Sequence, residues 1–545
     1  MSALHAARSV QRVAIVGMGS RGLSILEQLM GLARRNPDWQ LVIEVFDPQT
    51  PGSGLHLPEQ ADYLMLNTMA GQISAFSAAF PASMPDEPAG LTFLQWCSAQ
   101  DVRLDERGHL DAQGRPVEFG DFAPRRLLGR YLRDSYRYLL ELCPAHVQVR
   151  HHPESIVGCC PSVGESGFQL TCSDGQQMIV DGVFLTTGHA LRRSKSVTEK
   201  RVAIEGLGLT AMDTLAELTQ GRGGRYVRDN SVSGWRYQPS GREPEIYLFS
   251  RSGLPFHARP QWWPDQPAPA PPRFFTPAAI RSLRRESVGG RLDFVKQVLP
   301  LIEDEMRARC GSFDPEIHLH IGHWQGEPAA YEQWFRHWIE ADLLRSRQGR
   351  AASTLTHALE VWRDCRDVLR LATDHNGLTD ASTQGFYSVW AALGNRLVGG
   401  PQKERYEDLL ALMDAGIVRV LAPLQIDEPG IQFDRVIKAR TAHSGLSGSR
   451  SALLDDLLMQ GLVRRAHPYP ADGIEVDRQN RAVGSDGKVQ PRLWVLGPAV
   501  EGSTFYNHYV PTPDPACRAL LQARAAVDSC LTALEVDLAF EQFTT

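Results

Sequence analysis

The chain of 545 residues is poor in several things, and each shortage excludes a class of function. Its nine cysteines are scattered and contain no C-x-x-C. Cys159 and Cys160 are adjacent, a spacing that serves neither a zinc knuckle nor a redox dithiol. An odd, unframed set of thiols fits a reducing compartment. No window approaches the run of about 20 apolar residues that a membrane helix needs. Residues Met1 to Gln11 are polar and lack the apolar stretch of a secretion signal. The expected location is cytoplasmic, with no membrane partner. Basic residues are not in excess: 57 Lys and Arg stand against 63 Asp and Glu, a formal net charge of -6. That balance gives no polyanion-binding surface and argues against nucleic acid as a partner. G-x-S-x-G, the phosphate loop ending in G-K-[ST], and H-E-x-x-H are all missing, so nothing supports a serine hydrolase, a kinase or a metalloprotease.

What is present is a globular composition, 43% hydrophobic and 22% charged, long enough for two or more domains. Arg12-Val13-Ala14-Ile15-Val16 reads as a buried parallel strand. The turn Gly17-Met18-Gly19-Ser20-Arg21-Gly22 follows at once, then a helical pattern from Leu23 to Met30. Leu41 to Phe46 reads as the next strand and ends at Asp47-Pro48. This is one βαβ unit. Each glycine has its own task. Gly17 permits the tight turn, Gly19 lets the backbone approach a diphosphate, and Gly22 lets helix and strand pack closely. The N–H groups at the helix start, through Ser20 and Arg21, then hold the diphosphate. Asp47 stands where an acid should meet the adenosine ribose, somewhat beyond the usual distance of about 20 residues.

A second unit opens at Val202-Ala203-Ile204-Glu205. The turn Gly206-Leu207-Gly208-Leu209-Thr210-Ala211 carries alanine at its third position, an accepted variant. A helix from Met212 to Leu218 follows, and the partner strand is Glu245 to Phe249. Two dinucleotide folds suggest two dinucleotides, unless the second is a fold that binds nothing. Arg251 follows that strand. A guanidinium there suits a 2′-phosphate and weakly favours NADPH over NADH, but it reads equally well as a surface arginine.

Between and after these units, 51–90 reads as long loops and 124–142 as a helix. Val147 to Leu170 shows short strands, and a strand at 181–188 ends in Thr186-Thr187-Gly188. Residues 261–275 read as a linker rich in Pro and aromatics, and 276 to about 420 as mostly helix. Strand signals return at 434–438 and at Arg492 to Pro498, before a last helix near 515–534. The expected class is α/β, with two Rossmann-like dinucleotide-binding domains and a largely helical insertion. The expected domains are 1–190 with 430–545 for FAD, 195–260 for NAD(P), and 276–425 as the helical substrate subdomain.

The opening from Val13 to Leu26, then Val45-Phe46-Asp47-Pro48, Pro51-Gly52-Ser53-Gly54 and Leu64-Met65-Leu66-Asn67-Thr68-Met69-Ala70, resembles the bacterial FAD/NAD(P)-binding proteins. Gly206–Asp213, Gly399-Gly400-Pro401 and Gly497-Pro498 echo it more weakly. A more distant resemblance is to the flavin-containing and N-hydroxylating monooxygenases. It rests on Gln72 to Phe76, Thr92 to Trp96, Pro124 to Leu127, Thr186-Thr187-Gly188 and Thr210 to Asp213. The resemblance implies FAD on the first fold, NAD(P)H on the second, and Asn67, Gly188 and Gly497 beside the cofactor. Pro498 stands where many such proteins carry an aspartate. Glu205 places a carboxylate next to a turn meant for a diphosphate.

Other clusters carry plainer alternatives. Asn507 and His508, in the loop Glu501 to Tyr509 after the last strand, are candidates to touch flavin or substrate; the alternative is a packed aromatic loop with a satisfied histidine. His318-x-His320-x-x-His323 lacks a completing ligand, and no metal is expected. His257 and Arg259 read best as solvated linker, and Trp362 to Asp367 as a charge-laced helix surface.

The reading that unites these is an FAD-dependent, NAD(P)H-using oxidoreductase. The favoured form is a monooxygenase taking molecular oxygen and acting on an amine nitrogen or carbonyl of a small molecule through a flavin C4a-peroxide. No protein nucleophile is needed for that chemistry. The alternatives are a flavin dehydrogenase or reductase without oxygenation, and a non-enzymatic FAD-bound sensor.

Overall fold

The computed structural model describes residues 10–77, 90–163, 167–188, 198–266, 268–319, 322–423, 432–439, 446, 451–467 and 471–544, with side chains in the last helix described to 534. The chain divides into two compact units. One comprises 1–60, 68–192 and 442–545; the other comprises 61–67 and 193–441.

The first unit is built on a six-stranded sheet. Its strands are β1 (Gln11–Val16), β2 (Leu41–Phe46), β3 (Val147–His152) and β4 (Gly182–Leu185). Two later strands, Arg481–Val483 and Val489–Val495, complete it at one edge. β1 lies at the centre, parallel to both β2 and β4, with Val16 level with Phe46 and with Leu185. Every residue of β2 is buried, as an unalternating apolar run in a parallel sheet requires. Helix α1 (Ser20–Arg35) crosses from β1 to β2 and packs on α2 (Arg125–Glu141) and on the C-terminal helix Arg518–Thr544. A three-stranded antiparallel sheet spans 156–180.

The second unit carries a smaller, all-parallel sheet. β5 (Arg201–Glu205) lies between β6 (Glu245–Phe249) and β8 (Arg435–Lys438), and β7 (Val418–Val420) flanks β6. The strand at 435–438, assigned from sequence to the C-terminal part of the FAD domain, therefore belongs here. Its valine and isoleucine are in register with β5, Ala203 level with Val436. Sequence alone could not choose between two parallel sheets for a four-residue strand.

The helical stretch is packed into this unit. Phe335, Ile339 and Leu343 of α4 (Tyr331–Ala352) and Tyr406 and Leu410 of α5 (Lys403–Asp414) share one core with Val202, Ile204, Ile246 and Leu248. A parallel sheet must be covered by helices, and the insertion supplies that cover along with α3 (Leu209–Leu218).

The segment after β6 is also pinned, contrary to its reading as solvated linker. It runs along α4. Tyr331 Oη donates to the Gly253 carbonyl at 2.8 Å, and Ser346 Oγ donates to the Arg259 carbonyl at 2.6 Å. Between them, one buried carboxylate takes three partners: Asp342 Oδ2 accepts from the Ala258 N–H at 2.7 Å, and Oδ1 lies 2.6 Å from His257 Nδ1 and accepts from Arg345 Nη2 at 3.2 Å. Removing that carboxylate leaves a buried N–H and an imidazole without partners. Asp342→Ala is expected to destabilise the protein by about 2–4 kcal/mol, and Asp342→Asn by less. Urea unfolding checks this, and an unchanged midpoint for Asp342→Ala would contradict the assigned role.

Candidate functional site

The turn after β1 is shaped by what a Cβ would strike. Gly17 has φ +95°, and a Cβ there would meet the Thr186 carbonyl oxygen at 2.9 Å. Thr186 closes the turn from β4, its hydroxyl donating to the Gly17 and Val16 carbonyls. A Cβ at Gly22 would lie 2.4 Å from the Gly17 carbonyl oxygen, so the helix packs as closely as the sequence requires. Gly19 is different. Its nearest neighbour is the Cα of Gly54, at 3.4 Å from a Cβ, which leaves a face of bare backbone.

Helix α1 begins there without protein help. Gly19 is its N-cap, no side chain caps it, and its first turn holds no acid. Ser20 is the first residue of the helix and Arg21 the second. Arg21 is 6% exposed, and both its Nη atoms are buried without a hydrogen-bond partner among the described residues. Its guanidinium carbon sits 4.4 Å from the centre of the Tyr509 ring. That contact is worth about 2 kcal/mol when desolvated. Leaving a buried charge unpaired costs about 3–5 kcal/mol, so stacking alone does not settle this cation. Ser53, beside Gly54, is fully buried and its hydroxyl also lacks a partner. An uncapped helix start, a bare glycine edge, an unpaired guanidinium and an unpaired hydroxyl together fit the diphosphate of a dinucleotide.

Asp47 lies at the end of β2, where the sequence placed it, but its carboxylate is turned into the turn. Oδ2 accepts from the Met18 N–H at 2.7 Å and Oδ1 from the Gln49 N–H at 2.8 Å. Burial raises its pKa, against these two bonds and the nearby His151. It braces the glycine turn. Gly188, after β4, is exposed, and a Cβ there would meet nothing within 4 Å among the described residues. Gly497 has φ +85°, and a Cβ there would lie 3.4 Å from Arg21 Cγ, so the ends of the first and last parallel strands meet at this arginine. Pro498 opens a short 3-10 turn, Pro498–Val500.

The loop after that turn is organised by Glu501. Its carboxylate accepts from the Tyr506 and Asn507 N–H groups at 2.8 Å each, and from Asn507 Nδ2 at 3.1 Å. Asn507 Nδ2 also donates to the Thr504 carbonyl, and Oδ1 accepts from Thr504 Oγ1. The Asn507 side chain is thus consumed inside its own loop. His508 keeps 34% of its side-chain surface, with Nε2 3.7 Å from Glu501 Oε2. The protein packed about it, and then the Arg21 charge, hold its pKa down to about 4. Neutral at pH 7, this imidazole can accept a proton.

Asn67 lies in the segment 61–67, which belongs to the second unit; there Gln402 Nε2 donates to the Leu66 carbonyl and Arg405 to that of Tyr63. No spacing in the sequence signals that this short segment belongs with the later part of the chain.

The second turn repeats the first. Gly206 has φ +143°, and a Cβ would strike the Ala439 carbonyl oxygen at 2.6 Å. Gly208 caps α3 with no side-chain help and no acid in the first turn, and the Phe256 ring lies 3.3 Å from where its Cβ would be. Ala211 is fully buried, as the third position needs. Glu205 is half-buried at the strand end. Arg251 is exposed in the turn after β6. Two of the three histidines turn to backbone carbonyls. His318 Nδ1 meets the Asp314 carbonyl, His323 Nδ1 meets that of Arg251, and His320 lies outside the described residues. No metal-holding cluster occurs among the described residues.

Residues 14–190 match the family model described as FAD-NAD(P)-binding. The chain carries an FAD-NAD(P)-binding region. Its expected cofactors, FAD and NAD(P), agree with that match. Among curated proteins the chain is 28% identical to an L-aspartate N-monooxygenase (nitrosuccinate-forming) of Streptomyces cremeus, covering 90% of this chain and 91% of that one. It is 26% identical to a nitrosuccinic acid synthase of Aspergillus oryzae, covering 90% and 88%. Among solved structures, the ornithine hydroxylase of Pseudomonas aeruginosa aligns over 96% of this chain and 100% of its own, at 12% identity and a TM-score of 0.46. No described helix is long and apolar enough to cross a membrane.

Because Arg21 helps keep His508 neutral, Arg21→Met is expected to raise the His508 pKa part of the way back toward 6.5. Burial, the larger cause, remains. An NMR titration of the histidine ring protons measures this; an unmoved His508 would remove Arg21 as a cause.

Proposed function

We propose that this chain is an FAD-dependent, NAD(P)H-using N-monooxygenase that oxygenates the amine of a small acidic amino acid. The observation that carries it is the pair of uncapped glycine turns, each at the end of a central parallel strand, the first with an unpaired guanidinium beside it. The nature of the acceptor comes from the Streptomyces cremeus relative, which matches over 90% of this chain and is named as an L-aspartate N-monooxygenase, and from the Aspergillus oryzae relative, named as a nitrosuccinic acid synthase.

In this reading both units are Rossmann-like folds. Gly17, Gly19, Ser20 and Gly22 present backbone to the FAD diphosphate, and Arg21 and Ser53 bind it. Asp47 holds the turn and keeps acceptor capacity for a ribose hydroxyl. Gly188 and Gly497 leave room for the cofactor at the strand ends. Gly206, Gly208, Ala211 and Arg251 serve the pyridine nucleotide. FAD, when bound, supplies a hydride acceptor and a reduced ring that reacts with oxygen. His508, neutral at pH 7, adds no second positive charge beside Arg21. Asn507 and Glu501 keep the loop that carries it in place. The setting is the cytoplasm, in keeping with nine cysteines that are all free thiols.

NADPH should bleach the bound flavin without oxygen. Oxygen added with L-aspartate should then yield an amino acid heavier by one oxygen atom, with little hydrogen peroxide. Mass spectrometry and a peroxide assay read both. Stoichiometric peroxide with no oxygenated product, across acidic amino acids and other amines, would leave a reductase or oxidase. A flavin that NADPH does not reduce would leave a sensor.

A further inference from the structure

The turn that follows β6 is held by the helical insertion through three successive carbonyls. His323 Nδ1 reaches the Arg251 carbonyl at 2.9 Å, the Trp324 N–H donates to that of Ser252 at 2.7 Å, and Tyr331 Oη donates to that of Gly253 at 2.8 Å. The turn is also braced from within. Ser250 Oγ accepts from the Gly253 N–H and Ser252 Oγ from that of Leu254. Gly253, at φ +65°, leaves no room for a Cβ, which would lie 2.6 Å from Pro423 and 3.1 Å from Trp324. Trp324 in turn packs edge-on against Tyr331, ring centres 4.8 Å apart. A surface turn with no task does not need such support.

Two side chains on this fixed platform are exposed. The Arg251 guanidinium has no hydrogen-bond or ion-pair partner among the described residues. The His323 imidazole is tied to the same residue's carbonyl. A carbonyl only accepts, so Nδ1 carries a proton and Nε2 is left as the free ring nitrogen. β6 is the second strand of the second glycine fold. In such folds the residues just after that strand meet the adenosine ribose.

We propose that His323, reaching in from the helical insertion, is a specificity residue for the pyridine nucleotide and reads the ribose 2′ position together with Arg251. This rests on the reading of the second glycine turn as a nucleotide site. Arg251 supplies a planar, permanent cation for a 2′-phosphate. In its imidazolium form His323 keeps Nδ1–H on the Arg251 carbonyl and donates Nε2–H to the same group, a second directed contact. The insertion thereby sets which nucleotide is used, and the histidine that looked like part of a metal triplet has a different task.

The test is isothermal titration of the flavin-loaded protein with 2′,5′-ADP and with 5′-ADP, in wild type, Arg251→Ala and His323→Asn. Asparagine keeps a donor for the Arg251 carbonyl and removes Nε2. Wild type should bind 2′,5′-ADP more tightly than 5′-ADP. His323→Asn should cut that preference roughly tenfold, the value of one charge-assisted hydrogen bond, with 5′-ADP affinity unchanged. Arg251→Ala should cut it at least as far. If wild type prefers 2′,5′-ADP and His323→Asn retains the full preference, or loses both ligands equally, His323 has no such role and the nucleotide site stands. Equal binding of the two ligands by wild type overturns the 2′ reading itself. Binding of neither overturns the nucleotide site on which it rests.

Discussion

A buried guanidinium with no partner is the constraint on which the first unit turns. Arg21 sits at the start of α1, where the helix already concentrates positive potential, and no carboxylate among the described residues answers it. Tyr509 offers a ring face and Gly497 offers space. Neither accepts a hydrogen bond from its Nη atoms. His508, held neutral first by the protein packed about it and then by this charge, adds no second cation. Everything about the turn reserves the arginine for an anion from outside the chain, and a dinucleotide diphosphate is the anion whose shape matches a bare glycine edge.

The second unit answers a different demand. Its sheet is all parallel and must be covered, and the helical insertion does this while also gripping the segment that leaves β6. Helix α4 binds successive points along 253–261 through Tyr331, Asp342 and Ser346. An insertion that looks like an appendage in sequence thus forms part of the wall on which a nucleotide would rest.

Much of this was legible beforehand, where local pattern decides. An apolar run, a glycine turn and an amphipathic helix placed β1, α1 and β2 correctly, because each signal lies within about ten residues. The second unit's β5, α3 and β6 followed for the same reason. What failed to show was every feature set by distant partners. The strand at 435–438 carries no mark of which sheet it joins. Asn67 sits in a segment held at Leu66 and Tyr63 by Gln402 and Arg405, more than 300 positions away. The orientation of Asp47 toward the Met18 N–H is likewise invisible to spacing rules, which predict an acid at the strand end and not where its oxygens point. Asn507 was proposed as a contact for flavin or substrate, yet Glu501 and Thr504 occupy its amide.

The central claim is that Arg21 awaits the diphosphate of FAD, and the most direct measurement is ligand-induced stabilisation of the flavin-free protein. Thermal unfolding would be followed with FAD and, separately, with riboflavin, which has the ring but no phosphate, in wild type and in Arg21→Met. The account predicts that FAD raises the wild-type midpoint by several degrees, that riboflavin does little, and that Arg21→Met loses most of the FAD effect. Equal stabilisation of wild type and Arg21→Met by FAD would contradict it.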